Sequence, residues 1–295
     1  MNEVRLARNG EIKRQKEIWK RCFGDEDRYI DFYYDHRYKE SETMVLLYQG
    51  EISAMLTMIL VQVVTPNQQI FPSAMLYAIA TDPQKQGLGL ATQLMDYSHE
   101  YLGHNNKAFS ILVPAGESLF DFYHKRSYRE GFYLRELLLT LEEIEAWSEI
   151  DVCLPKIFSI SSNDYNQRRN LRLEGCLHIA YEDKEIDYQK KLSQLSGADI
   201  YGIELKNTQG CAVIERINPD EVIVKEILLP EEFLNGALHK IAELFPAKKY
   251  IIRTPAFSGK FLGGKVRAFG MVRAQSEREG IIAIEKQGYL GLAFD

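Results

Sequence analysis

The chain has 295 residues, 45% of them hydrophobic and 26% charged, with a formal charge of −6. That size suits one large domain or two ordinary ones, and the acid excess speaks against nucleic acid as the main ligand, because a phosphate-binding surface needs a surplus of bases. No apolar run approaches the ~20 residues of a membrane span, and the N-terminal MNEVRLARNG lacks the apolar stretch of a signal peptide, so the expectation is a cytoplasmic protein with no membrane partner. Cys22, Cys153, Cys176 and Cys211 are widely spaced, which predicts isolated buried thiols in a reducing compartment. The six histidines form no HExxH pattern, so no metal is expected.

In chain order, the apolar residues Ile12, Ile18, Trp19, Cys22 and Phe23 predict an amphipathic helix that Gly24 ends. Asp25-Glu26-Asp27 opens a second helix carrying Tyr29, Ile30, Phe32 and Tyr33. Two strand-like runs follow, MVLLYQ and ISAMLTMILVQVV, joined by a turn at Gln49-Gly50-Glu51. Pro66 to Pro72 reads as a polar loop. Ala74 to Ala80 is a strand that stops at Thr81-Asp82-Pro83, since proline removes a ladder donor. A helix from Leu90 to Leu102, a strand at Phe109 to Val113, a short helix from Ser118 to Lys125 and a strand from Tyr133 to Leu141 complete the first half. This order requires a mixed sheet with helices on its faces, an α/β (α+β) domain.

A shift in composition near Glu142–Asp151 places a boundary between residues 1–145 and 146–295. The second half partly repeats the first. Ile200–Leu205 and Cys211–Ile214 form a hairpin, Val222–Leu229 a strand, Phe233–Phe245 a helix, and Tyr250–Ala256 a strand that matches Phe109–Ala115 in length and ending.

Gln84-Lys85-Gln86-Gly87-Leu88-Gly89 joins a strand to a helix. Such a loop leaves main-chain N–H groups at a helix N-terminus, where they and the positive dipole end suit a pyrophosphate. Gly87 and Gly89 let phosphate oxygens approach the main chain, and Lys85 adds charge at the rim.

With those residues in view, LYAIATDPQKQGLGLATQLM resembles motif A of the GNAT acetyltransferase superfamily, Gln/Arg-x-x-Gly-x-Gly/Ala, with Gln84, Gly87 and Gly89 at the three fixed positions. FYHKRSYREGF resembles that superfamily's Phe-Tyr-x-Lys-x-Gly-Phe element through Tyr123 and Lys125. It departs from it at Ser127-Tyr128, and at Gly116, where asparagine is usual. The resemblance covers residues 1–140 and implies an N-terminal GNAT fold, followed by a degenerate GNAT-like domain that walls the acceptor site. It further implies acetyl-CoA or another acyl-CoA as cofactor and a primary amine of a small molecule or peptide as acceptor. The main chain of Ile79, Ala80 and Thr81 would pair with pantetheine. The amides of Lys85, Gln86, Gly87, Leu88, Gly89, Leu90 and Ala91 would hold the pyrophosphate. Tyr123 would protonate the leaving thiolate.

No base is evident: Tyr77 stands near where some relatives carry a glutamate. In two-lobed, Eis-like acetyltransferases the C-terminal carboxylate enters the active site. By that resemblance Asp295, at the end of the apolar run Gly288 to Phe294, is the candidate, against a tail that merely closes the second sheet. The near P-loop at Gly259–Lys265 is set aside because Val266 replaces the magnesium-ligating hydroxyl and a strand follows. Leu229-Pro230-Glu231-Glu232-Phe233-Leu234, at the point corresponding to the glycine loop, would repel a pyrophosphate. Two alternatives remain: a non-catalytic acyl-CoA sensor, and a tRNA-dependent aminoacyl transferase of tandem-GNAT type. Homo-oligomerisation is left open.

Overall fold

The computed structural model describes residues 2–146, 154–276 and 287–294. The chain falls into two compact units, one comprising Met1–Gln62, Phe71–Tyr128 and Val272–Ile282, the other Val63–Ile70, Arg129–Met271 and Ala283–Asp295.

The first unit runs β1 (Glu3–Leu6), α1 (Ile12–Phe23), α2 (Asp27–His36), β2 (Thr43–Tyr48), β3 (Glu51–Val64), β4 (Ile70–Thr81), α3 (Leu90–His104), β5 (Phe109–Leu112) and α4 (Ser118–His124). Its strands lie in the order β1-β2-β3-β4-β5. The β1–β2 and β2–β3 pairs are antiparallel and β4–β5 is parallel. Gly24 ends α1 as expected, at φ 75° with its N–H on the Lys20 carbonyl, the left-handed cap that glycine adopts most easily. The polar loop after β3 is shorter than expected, because Ile70 to Pro72 already belong to β4. Ile18, Trp19, Met44, Val45, Leu94, Met95 and Phe109 are in the core. Gln275 N–H donates to the Ala108 carbonyl (2.9 Å), so the chain that re-enters this unit at Val272 borders β5.

The second unit continues with β6 (Arg129–Thr140), α5 (Leu141–Glu145), β7 (Lys156–Ser159), α6 (Ser162–Arg172), β8 (His178–Ala180), α7 (Asp183–Leu195), β9 (Ile200–Leu205), β10 (Thr208–Asn218), β11 (Glu221–Leu228), α8 (Leu234–Leu244), β12 (Lys249–Pro255) and β13 (Lys265–Ala274). From β7 onward the order of elements follows that of the first half (strand, two helices, a three-strand meander, helix, parallel strand, final strand), with β8 inserted between the two helices and a single 3₁₀ turn, Lys260–Leu262, in place of α4. As with β4 and β5, β11 and β12 pair in parallel. Strand β6, read from sequence with the first half, is grouped with the second unit, where seven of its residues pair antiparallel with β12 from Thr140↔Lys249 to Leu134↔Pro255. Thr140 and Glu143 then form a reciprocal capping box that starts α5, worth about 1 kcal/mol.

The core of this unit gathers Leu137, Ile203, Ile214, Val224, Leu238 and Ile252. The unit also contains a buried polar cluster. Arg169, fully buried, donates from Nε to Glu226 (3.0 Å), from Nη1 to the Ile179 carbonyl (2.6 Å) and from Nη2 to the Leu290 carbonyl (2.9 Å). Tyr165 donates to Glu226 (2.6 Å), and Tyr181 to the Leu290 and Leu292 carbonyls. Burial works against the Arg169 charge, but Glu226 together with Tyr181, Tyr165 and Tyr289 outweighs it and raises the guanidinium pKa. The residues from Gly288 to Phe294 are buried. They form isolated bridges, Phe132↔Gly288 and His178↔Tyr289, rather than a strand.

One expectation needs adjustment. Cys211 is buried, but Cys22 and Cys176 are only half-buried; Cys153 lies outside the described residues. Among those residues no cluster of histidine, cysteine or carboxylate side chains could hold a metal, and no helix is long and apolar enough to cross a membrane.

Candidate active site

The expected loop residues occupy one continuous turn between β4 and α3. Ile79 and Thr81 are half-buried and Ala80 buried at the end of β4. Pro83–Lys85 is a single 3₁₀ turn, Gln86 extends the chain, and Leu90 and Ala91 open α3. Gly87 and Gly89 stand at φ 80° and 75°, a region that costs an L-residue roughly 1–2 kcal/mol. A Cβ at either position would meet no atom within 4 Å. The demand for glycine is therefore conformational, and the space beside the main chain stays open to a ligand. The first intrahelical bond of α3 runs from Gln93 N–H to the Gly89 carbonyl (3.1 Å), which leaves the N–H groups of Leu90, Ala91 and Thr92 ahead of the helical ladder.

Asp82 builds this turn. Its carboxylate accepts from Gln84 N–H (3.1 Å), Arg14 Nη2 (2.5 Å) and Arg21 Nη1 (3.2 Å), while its own N–H reaches the Ser53 carbonyl and its carbonyl receives Lys85 N–H (2.7 Å). Burial disfavours the ionised form, but the Gln84 N–H and the two guanidiniums prevail and hold its pKa below the usual carboxylate range. In the sequence Asp82 stands out only as part of a strand stop, although Asp before Pro is a recognisable cap signal. Lys85 Nζ lies 5.4 Å from the centre of the Tyr48 ring, a cation–π contact at the rim.

The strand side of the site has two features that the sequence does not announce. The β4–β5 register covers Ser73↔Phe109 to Met75↔Ile111, and β5 ends at Leu112 whereas β4 continues to Thr81. The last residues of β4 thus run on beyond the end of their parallel neighbour. Ala78 stands at φ 50°, an uncommon conformation for a residue with a Cβ, and it breaks the regular alternation of main-chain groups just before Ile79.

Tyr123 is buried on α4, with its ring edge-on to Phe122 (5.2 Å) and Tyr128 (5.9 Å). Burial pushes its phenol up to about 12, with Arg126 pulling the other way. Arg126 covers the Phe122 ring at 3.4 Å and donates to Thr92 Oγ1, which ties the end of α4 to the first turn of α3. Behind Tyr123, Tyr128 bonds His99 Nε2 (2.9 Å) and Ser110 Oγ (2.5 Å). Asp295 lies outside the described residues.

The chain is similar to known proteins at two levels. Residues 3–131 match the family model described as Acetyltransferase (GNAT) domain. No curated protein sequence matches at a significant level. Among solved structures, a GCN5-related N-acetyltransferase from Anabaena variabilis aligns with a TM-score of 0.75 at 14% identity, over 96% of this chain and 75% of its own. Eis1 from Mycobacterium abscessus aligns with a TM-score of 0.68 at 10% identity, over 93% and 74%. A tandem GNAT protein from the clavulanic acid biosynthesis pathway aligns with a TM-score of 0.54 at 10% identity, over 94% and 99%. These structural likenesses are of fold and extend through both halves of the chain.

Proposed function

We propose, from the premise that residues 3–131 form an acetyltransferase (GNAT) domain, that the protein transfers an acyl group from acetyl-CoA or another acyl-CoA to a primary amine of a small molecule or peptide. The observation that carries this is the turn pinned by Asp82, with left-handed Gly87 and Gly89 opening onto the unpaired amides of α3. Amides from Gln86 to Ala91 hold the diphosphate; that of Lys85, expected with them from the sequence, is taken by the Asp82 carbonyl, and Lys85 contributes its side-chain charge. The main chain of Ile79, Ala80 and Thr81, where β4 outruns β5, pairs with the pantetheine amides.

In this reading residues 1–145 carry the catalysis, and residues 146–295 contribute acceptor contacts and the tail. The neutral amine attacks the thioester carbon, the C–S bond breaks, and the departing sulfur takes the Tyr123 proton. A free thiol has a pKa of ~8.5, well below that of this phenol. Transfer to sulfur is therefore favourable only if the thiolate shares the same dry surroundings, which raise its own pKa. Positioning and main-chain polarisation of the thioester supply most of the acceleration. Asp295, through its side chain or the terminal carboxylate, is the base that frees the amine.

The test is acetyl-CoA turnover across a panel of primary amines, with CoA affinity measured by calorimetry on the same samples. Expected are CoA-dependent thiol release and a loss of CoA affinity of about 100-fold in a Gly87→Val/Gly89→Val variant. Unchanged affinity in that variant would overturn the assignment of the loop.

A further inference from the structure

Trp19 is the hub of a side-chain group beside the end of β4. Its ring, itself buried, lies 5.7 Å from Phe23 edge-on, 5.8 Å from Tyr77 and 4.7 Å from Tyr33. The Tyr29 and Tyr77 hydroxyls are 3.2 Å apart. The Trp19 indole N–H donates to Asp25 Oδ2 (2.7 Å). The members around the hub are more open than the hub: Phe23 is 41% exposed, and Tyr29, Tyr77 and Asp25 are half-buried. The group is fixed against β4, because Cys22, next to Phe23, donates from Sγ to the Thr81 carbonyl (3.1 Å), and Tyr77 directly precedes the irregular Ala78.

Two of the neighbouring acids are already paired. Lys20 pairs with Asp27 and Lys16 with Asp31, both at 2.7 Å. Asp25 has no ion pair among the described residues, and a neutral indole N–H leaves its negative charge intact. Arg21 and Lys20 are committed elsewhere, to Asp82 and Asp27, and the exposed Arg28, three residues on, makes no ion pair with Asp25. A carboxylate without a counter-ion, set among half-open aromatic rings, suits an ammonium group attached to an apolar or aromatic body. It repels an acceptor that carries a second, negative group.

We infer that Phe23, Asp25, Tyr29 and Tyr77 form the acceptor subsite and select monocationic amines with an aromatic or apolar body; this rests on the acyltransferase reading above. Asp25 holds the ammonium before it is deprotonated, and the rings hold the body. Trp19 positions the other four without touching the acceptor.

The probes are phenethylamine and taurine, which share an aminoethyl group and differ in a ring against a sulfonate. Binding of each to the CoA-saturated protein is measured by calorimetry, and acetyl-CoA turnover is measured in parallel. Phenethylamine is expected to bind at least tenfold more tightly than taurine. Asp25→Asn should abolish that preference and raise KM for phenethylamine about tenfold, with kcat and CoA affinity changed less than threefold. Phe23→Ala, an exposed substitution that leaves the fold intact, should weaken phenethylamine several-fold and taurine not at all. Equal or tighter binding of taurine, or unchanged phenethylamine affinity in both variants, overturns the subsite. A loss of CoA binding by the unmodified protein would instead sink the underlying function, and phenethylamine binding would still read the subsite by itself.

Discussion

The two strand-to-helix junctions, β4 to α3 and β11 to α8, occupy the same place in two copies of one element order and differ in what they offer an anion. The first carries two left-handed glycines, an aspartate cap and free amides at the helix start. The second reads Leu229-Pro230-Glu231-Glu232-Phe233: no glycine, a proline without an N–H, and two carboxylates at the helix entrance. One of them, Glu231, is turned back onto Gly259 N–H (2.8 Å). Both junctions leave a parallel strand pair, so the sheet survives loss of the loop chemistry. Strand pairing depends on main-chain bonds and burial, which almost any apolar sequence satisfies, whereas diphosphate binding depends on a few residues at fixed backbone angles. What the second unit has instead is polar chemistry in its core, in the Arg169–Glu226 cluster that fastens the chain near Leu290.

That contrast can be broken at several points. The largest effect is expected at Arg169. Arg169→Met leaves Glu226 buried without its partner and should cost about 3–5 kcal/mol in urea unfolding, while the double variant with Glu226→Met recovers much of it. Next is Tyr123→Phe, for which kcat should fall about 100-fold with CoA affinity unchanged; an unchanged kcat removes the phenol from the mechanism.

Acid stability comes third. His99 in the first unit and His178 in the second are held neutral, the first down to a pKa of about 3 and the second to about 4, both chiefly by burial. An unfolded histidine takes up its proton below pH ~6.5. Folding stability is therefore intact above that pH and is lost as the pH falls towards the folded values, at about 1.4 kcal/mol per pH unit for each histidine. Unfolding midpoints between pH 7 and 4 should record this slope, and His99→Gln should reduce it by the share of one group. The smallest effect is a control for the comparison: Glu231→Gln should leave CoA affinity within experimental error, because the second junction lacks the glycines and begins with a proline as well as carrying the carboxylates.

Much of this was legible in advance, for reasons that differ by element. Helix α1 was readable to the residue because its apolar stripe and terminal glycine are both local signals. The glycine loop was readable because its backbone demands leave few residue choices. The stretch from β7 to α7 was not read. Strand β7 has a single half-buried apolar position, and α6, SNDYNQRRNLR, buries Ser162, Asn166 and Arg169 alongside Tyr165, so the usual hydrophobic period is missing. Its inward face is polar because its partners are polar: Ser162 and Asn166 meet Asp187, Asp183 and the Tyr181 carbonyl, and Arg169 meets Glu226 and the Leu290 carbonyl, 57 and 121 positions away in sequence. The role of Asp82 and the irregular backbone at Ala78 escaped for a similar reason: each depends on a neighbouring strand. The aromatic group around Trp19 was visible only as separate helix positions.

The most direct measurement follows the main-chain amide resonances while CoA is titrated into the isotope-labelled protein. The account predicts that the amides from Lys85 to Thr92 shift first and farthest, with those from Glu231 to Gly236 unmoved. Perturbation centred on the second junction, or none at the first, would contradict it.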